Sequence, residues 1–155
     1  VEDKEFWTQE FQKGRTQDEY QKRYYEEMLR VVQVYKDYSV LGHMDLINRY
    51  DKAGEYPFEK VKPLISEILK IVIADGKGIE INTSSHRYGL KDSMPSAELL
   101  KLYRDLGGTI ITIGSDSHKP EHLGRYIQEA KEQLKELGFH SFCTYNKMEP
   151  TFHSL

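Results

Sequence analysis

Apolar positions along the chain fall into helix-spaced sets separated by short β-branched runs. Tyr20, Tyr24, Met28, Val31 or Val32 and Tyr35 recur every three to four residues, which predicts a helix at about 17–37. Thr16-Gln17-Asp18-Glu19 opens it as a capping box, in which the Thr hydroxyl takes a backbone N–H and Glu19 reaches back. Ser39-Val40-Leu41-Gly42 reads as a short buried strand, and Gly54 to Pro57 as a loop. Val61, Leu64, Ile65, Ile68, Leu69 and Val72 predict a second helix over 58–75. Pro63 fits only near its first turn, and Gly76 and Gly78 end it. Gly78 to Ser84 reads as a strand. A polar loop runs on to Pro95, whose fixed φ suits a helix start. Leu99, Leu100, Tyr103 and Leu106 mark the third helix, stopped by Gly107-Gly108. Thr109 to Ile113 has the β-branched, apolar character of a strand buried on both faces. Leu123, Ile127, Ala130, Leu134 and Leu137 mark the last helix, closed by Gly138, and Phe139 to Tyr145 a final strand.

The predicted order is α-β-α-β-α-β-α-β. Strict alternation with helical crossovers implies a parallel sheet, open or closed into a barrel. Four strands are few for either form: an open flavodoxin-like sheet has about five and a closed α/β barrel about eight.

Composition narrows the class. The chain has 155 residues, a size that suits one domain or part of a larger one, with 38% apolar and 30% charged residues. Eleven Tyr, six Phe and one Trp argue against disorder. A net charge of −3 and the lack of a basic stripe give nucleic acid or an anionic membrane nothing to hold. The longest apolar runs, such as Ile71-Val72-Ile73-Ala74, fall far below the roughly 20 residues of a membrane helix. A single cysteine, Cys143, excludes an internal disulfide framework and, with no signal segment at the start, leads to the expectation of a cytoplasmic protein. The first residue is Val rather than Met, which predicts a trimmed or internal start.

Two segments carry the candidate chemistry, each just after a predicted strand: Gly42-His43-Met44-Asp45 and Gly114-Ser115-Asp116-Ser117-His118. Sites in α/β proteins are built at the C-terminal ends of parallel strands. Each segment holds a His and an Asp two residues apart. Imidazole and carboxylate suit Zn, Mn or Fe, and alternate residues leaving a strand can share a direction. Read alone, a His–x–Asp also fits a capped turn, and both readings stand at this point. His86, His122, His140 and His153 lack such context and read as surface or packing residues. Arg49, six residues after His43, and Arg87, in the loop after the Glu80-to-Ser84 stretch, suit a phosphate site, because guanidinium binds phosphate bidentately and stays charged. As isolated residues both also read as solvated loop side chains. Asn82-Thr83-Ser84 matches the N-glycosylation pattern, which on a buried strand is coincidence.

The stretches Val40-Leu41-Gly42-His43-Met44-Asp45-Leu46-Ile47-Asn48-Arg49-Tyr50, Ile79-Glu80-Ile81-Asn82-Thr83-Ser84, Pro95 onward and Ile113-Gly114-Ser115-Asp116-Ser117-His118 together resemble the C-terminal part of a histidinol-phosphatase of the polymerase-and-histidinol-phosphatase (PHP) family. Their order and spacing match across about residues 6–150. The resemblance implies the C-terminal half of a distorted (β/α)7 barrel, with about four parallel strands in one partial domain over residues 1–155. It implies a metal-dependent phosphomonoester hydrolase acting on L-histidinol phosphate in histidine biosynthesis, with up to three divalent ions in the complete site. By position, His43, Asp116 and His118 are implied as metal ligands. Arg49 and Arg87 are implied as holders of the substrate phosphate, and Asp45 as a partner behind the ligands. No His-x-His occurs in the chain, although the family's first metal motif is one. That motif and the second are expected upstream of Val1, so the chain alone is expected to be inactive. An inactive half-barrel serving as a structural or interaction module is the alternative. A half-barrel also leaves a strand edge open to self-association or pairing.

Overall fold

The structure, a computed structural model, describes residues 9–155, so residues 6–8 of the stretch carrying the resemblance lie outside it. It is an α/β fold built on a three-stranded parallel sheet. After a short helix α1 (Gln9–Gln12) comes α2 (Gln17–Val34). Thr16 and Glu19 form the expected reciprocal capping box on α2, and Tyr20, Tyr24, Tyr25 and Val32 are buried along it. The helix stops at Val34 rather than 37, and Tyr35 is exposed, so the apolar stripe outruns the helix by one position.

Strand β1 is only Val40–Leu41 and half-buried, shorter and wetter than expected. A one-turn helix α3 (Ile47–Tyr50) follows, then α4 (Phe58–Ala74), whose Val61, Ile65, Ile68, Leu69 and Val72 form the centre of the core. Pro63 is the sixth residue of α4 instead of lying in its first turn. It is tolerated because it faces solvent, where the carbonyl it leaves unpaired can bond water.

Strand β2 (Gly78–Asn82) pairs in parallel with β1 through Val40–Gly78 and Leu41–Ile79. It ends two residues before the expected Ser84, because the Asn82 side chain accepts the Ser84 N–H at 3.0 Å and turns the chain into a 3₁₀ segment, Thr83–Tyr88. Asn82, Thr83 and Ser84 are buried there. Helix α5 (Ala97–Asp105) starts from a Ser96 cap, leaving Pro95 outside it.

Strand β3 (Ile111–Gly114) completes the sheet order β1-β2-β3, with Ile79–Ile111 through Asn82–Gly114 in register. Only Ile111 of β3 is fully buried and Thr109 is exposed, so this strand is covered less evenly than its apolar run implied. Helix α6 (Ile127–Glu136) buries Ala130 and Leu134. Leu123, expected on its inner face, is 78% exposed and precedes the helix by four residues.

The fourth parallel strand is not formed. β4 (Ser141–Asn146) pairs antiparallel with β5 (Glu149–Ser154) in a separate hairpin. Its turn puts both Lys147 and Met148 at positive φ, the two-residue geometry whose twist matches a hairpin. A strand followed at once by a tight turn pairs with its neighbour in sequence, whereas a parallel partner needs a crossover.

Candidate active site at the strand ends

The segments that follow β1, β2 and β3 carry the candidate residues: His43 and Asp45 with Arg49 of α3 after β1, Arg87 of the 3₁₀ segment after β2, and Asp116 and His118 after β3. Helices α4 and α5 bring β1, β2 and β3 into consecutive order, so the loops after them are neighbours. His43 and Asp116 open the first and third loops, and both sit at positive φ, 29° and 47°. Non-glycine residues are uncommon there and cluster at functional turns.

At the third loop, His118 Nε2 lies 3.2 Å from Asp116 Oδ1. The His118 side chain is 76% exposed, so its ring is open to a ligand. His43 is held differently: its backbone N–H donates to Glu80 Oε2 at 3.2 Å, and Asn82 Nδ2 donates to the same oxygen at 3.3 Å. Glu80 is a site-proximal residue that periodicity did not single out. Its carboxyl group lies between Gly42 and Gly114, and a Cβ at Gly114 would stand 2.2 Å from Oε1. The legible signal was an acidic residue inside an apolar strand with glycines at the facing strand ends.

Asp45 is 4% exposed. Its Oδ2 accepts the Ser96 N–H at 2.8 Å, tying the first loop to the start of α5, and Oδ1 has no hydrogen-bond partner. Burial pushes its carboxyl up to about 7. Asp45 thus faces the helix cap, turned to a different neighbour from His43.

The two arginines meet one aromatic ring. The Arg49 guanidinium lies 3.1 Å from the Tyr88 ring centroid, and that of Arg87 lies 5.9 Å away. Arg87 also donates from Nη1 to the Ser115 carbonyl at 2.6 Å and from Nη2 to the Asp116 carbonyl at 2.7 Å. The structure therefore gathers Arg49, Tyr88, Arg87, Asp116 and His118 into one contiguous set, with His43 reached through Glu80. His86 stacks on Tyr126, and His153 stacks on Phe142.

Imidazole and carboxylate are the right donors for a divalent ion, and Asp116 with His118 supplies two of them side by side. Among the described residues no group of three or more His, Cys, Asp or Glu side chains converges to hold a metal. The donors fit a metal in kind, and these residues supply part of a coordination shell.

Comparison with known proteins bears on the family and the fold. The profile of the family described as "PHP domain" matches residues 3–84. A Thermotoga maritima protein named "Probable histidinol-phosphatase" is 37% identical over 123 residues, covering 79% of this chain and 50% of that protein. The histidinol-phosphatase of Lactococcus lactis is 32% identical over 145 residues, covering 90% of this chain and 52% of its own. The crystal structure of L. lactis histidinol phosphate phosphatase, complexed with zinc, L-histidinol and phosphate, matches with a TM-score of 0.76 at 30% identity. That match covers 92% of this chain and 54% of that one. A crystal structure from Listeria monocytogenes shares the fold, with a TM-score of 0.62 at 21% identity over 72% of this chain and 44% of that one. The chain spans about half the length of the curated relatives it matches. A family model that matches more than half of its residues, and a fold shared at 30% identity with a histidinol phosphate phosphatase, place this chain in the PHP domain family.

Proposed function

We propose that this chain contributes one part of the active site of a metal-dependent phosphomonoester hydrolase that converts L-histidinol phosphate to L-histidinol and phosphate, a step of histidine biosynthesis. The observation that carries the reading is the Asp116–His118 pair beside Arg87, Tyr88 and Arg49 on one rim of the sheet, in a chain that aligns over 92% of its length with a structure holding zinc, L-histidinol and phosphate.

In this reading Asp116 and His118 together, and His43 apart from them, are ligands within a cluster of divalent ions; zinc is the ion in the similar structure, and manganese and iron suit the same donors. A bound ion supplies Lewis acidity toward the phosphoryl oxygens and an acidified water. Arg49 and Arg87 take the phosphate oxygens by charge-assisted hydrogen bonds and offset the negative charge that grows on them. Tyr88 keeps the Arg49 guanidinium in a fixed plane. Glu80 steadies the backbone from which His43 projects.

The chain spans about half the length of its curated relatives, and the reading is that of a partial site in a (β/α)7-type fold, with these residues supplying part of the ligands of a cluster of up to three ions. The open edge of β1 is the place where the chain pairs with a further strand or with a second copy. Among the described residues no helix is long and apolar enough to cross a membrane. A cytoplasmic location suits the one buried, unpaired cysteine, Cys143.

The test is phosphate release from L-histidinol phosphate by the 155-residue chain and by the chain joined to the preceding barrel strands of a relative, each with added zinc or manganese. The joined protein turns over and loses that turnover in His118→Ala, while the chain alone does not. Turnover by the chain alone near about 10 per second refutes the shared-site reading. No metal-dependent turnover in the joined protein refutes the phosphatase reading.

A further inference from the structure

Arg87 does more in this structure than wait for a phosphate. Its two terminal nitrogens are already engaged, each with one of two consecutive backbone carbonyls, Ser115 at 2.6 Å and Asp116 at 2.7 Å. Both carbonyls belong to the turn that presents Asp116 and His118. That turn has an uncommon backbone: Asp116 has φ 47°, in the left-handed region that non-glycine residues seldom enter, although Asp does so more readily than most. Such a conformation persists only where the surroundings hold it. The other side-chain contacts of the turn are more local: His118 Nε2 to Asp116 Oδ1 at 3.2 Å, Gly124 N–H to Ser115 Oγ at 3.2 Å and Ser117 Oγ–H to the Lys119 carbonyl at 2.7 Å. Packing does little for His118, whose side chain stands mostly in solvent. The Arg87 fork is the charged, long-range restraint on this turn, reaching it across 28 and 29 residues of sequence.

We propose that Arg87 is a positioning residue. By clamping the Ser115 and Asp116 carbonyls it keeps the turn in the strained conformation that aims Asp116 and His118 at a common point, and so it sets the affinity of that pair for a divalent cation. This rests on the reading of Asp116 and His118 as metal ligands. It is compatible with the phosphate role, because a guanidinium has five N–H donors and the carbonyls use two. It also separates the two arginines. Arg49 rests on Tyr88 and acts on the substrate; Arg87 acts on the metal site and the substrate together.

Lysine distinguishes the clamp from mere charge, since an ammonium keeps the charge but lacks the planar fork that spans two carbonyls. The experiment uses the ¹⁵N-labelled 155-residue chain, with Arg87→Lys and Arg87→Ala. Backbone order parameters at residues 115–118 should be near about 0.85 in the unaltered chain and fall below about 0.6 in both variants. In a Zn²⁺ titration followed by the His118 ring resonances, the midpoint should weaken about 10-fold or more in both, the scale seen when supports behind metal ligands are removed. Unchanged melting temperatures show that the loss is local. Three results overturn the clamp: unaltered order parameters in both variants, a turn already mobile in the unaltered chain, or full rescue by lysine. If the unaltered His118 ring does not respond to Zn²⁺, the ligand reading fails and with it the claim about affinity. The order parameters then judge the clamp by themselves.

Discussion

Replacing Gly114 by alanine would put a methyl group where Glu80 keeps its carboxyl. Gly114 lies in β3 and its φ is not in the left-handed region, so the backbone itself accepts alanine. The obstacle is the neighbour: the new Cβ would stand 2.2 Å from Glu80 Oε1 and 3.1 Å from Cδ. Ordinary contact begins at 3.4 Å, so the carboxyl must retreat by roughly 1.2 Å. A flexible side chain can do that, which keeps the overpacking at or below the low end of about 1–3 kcal/mol. The retreat takes Oε2 away from the His43 N–H and Asn82 Nδ2, now at 3.2 and 3.3 Å. Hydrogen bonds to a charged group are worth about 1.5–3 kcal/mol, so Gly114→Ala should destabilise by about 2–3 kcal/mol. At about 2–4 °C per kcal/mol for a chain of this size, the melting temperature should fall by about 4–12 °C. The diagnostic is a double-mutant cycle by urea unfolding. On a Glu80→Ala background the clash is gone, so Gly114→Ala should cost less than about 0.5 kcal/mol, leaving a coupling of about 1.5 kcal/mol or more. If the two substitutions add within about 0.5 kcal/mol, the methyl group does not act through Glu80 and the reasoning fails.

Asp45 gives a pH dependence of stated sign. Its folded-state carboxyl is raised from 3.8 to about 7 by burial, so the native chain holds a proton that the unfolded chain has released, and stability falls as pH rises from about 4 to about 7. The loss is at most about 4 kcal/mol, at 1.36 kcal/mol per pKa unit; urea melts at pH 4 and 8 should show it, and Asp45→Asn should flatten it, while an equal slope in that variant assigns the effect to another group. For Tyr88, a guanidinium over an aromatic face is worth about 0.5–2 kcal/mol, so Tyr88→Ala in the joined barrel should raise KM for the phosphomonoester about 2- to 30-fold with kcat kept. Tyr88→Phe retains the ring and should behave as the parent; a parent-like Tyr88→Ala removes the stack from substrate binding. At the capping box, Thr16→Ala should lower stability by about 1 kcal/mol, read by denaturant melts, and no change would mean that Glu19 alone holds the start of α2.

The helices were legible because burial imposes its period on the sequence. Ile65, Ile68, Leu69 and Val72 face the core of α4, and Leu99, Leu100 and Tyr103 that of α5, as their spacing implies. The hairpin was not legible. β5 carries Pro150 and His153 and is exposed along almost all of its length, so it has no alternation to read. Its turn takes positive φ at Lys147 and Met148 without the glycine or asparagine that announces such turns. At the site, the paired His and Asp residues were visible because each pair follows a short apolar, strand-like run that ends in glycine. What each partner does was not, because His43, Asp45 and Asp116 are held by Glu80, Ser96 and Arg87, which lie 37, 51 and 29 residues away. A single Glu inside Gly78–Asn82 reads as one wet position of a strand until the glycines at 42 and 114 are seen on either side of it.

The placement of Glu80 and Arg87 has a mechanical consequence. Both belong to the middle segment of the sheet: one grips the loop after β1 through the His43 amide, the other grips the loop after β3 through two carbonyls. The outer loops do not need to touch each other to stay in register, since each is gauged against the same central rail, one strand spacing away at about 4.8 Å. Errors in that rail are therefore shared, and errors in the outer strands are not. A change that shifts or twists Gly78–Tyr88 displaces the His43 loop and the Asp116–His118 loop together and keeps their separation, whereas an equal change in Val40–Leu41 or Ile111–Gly114 moves one loop and alters the gap between them.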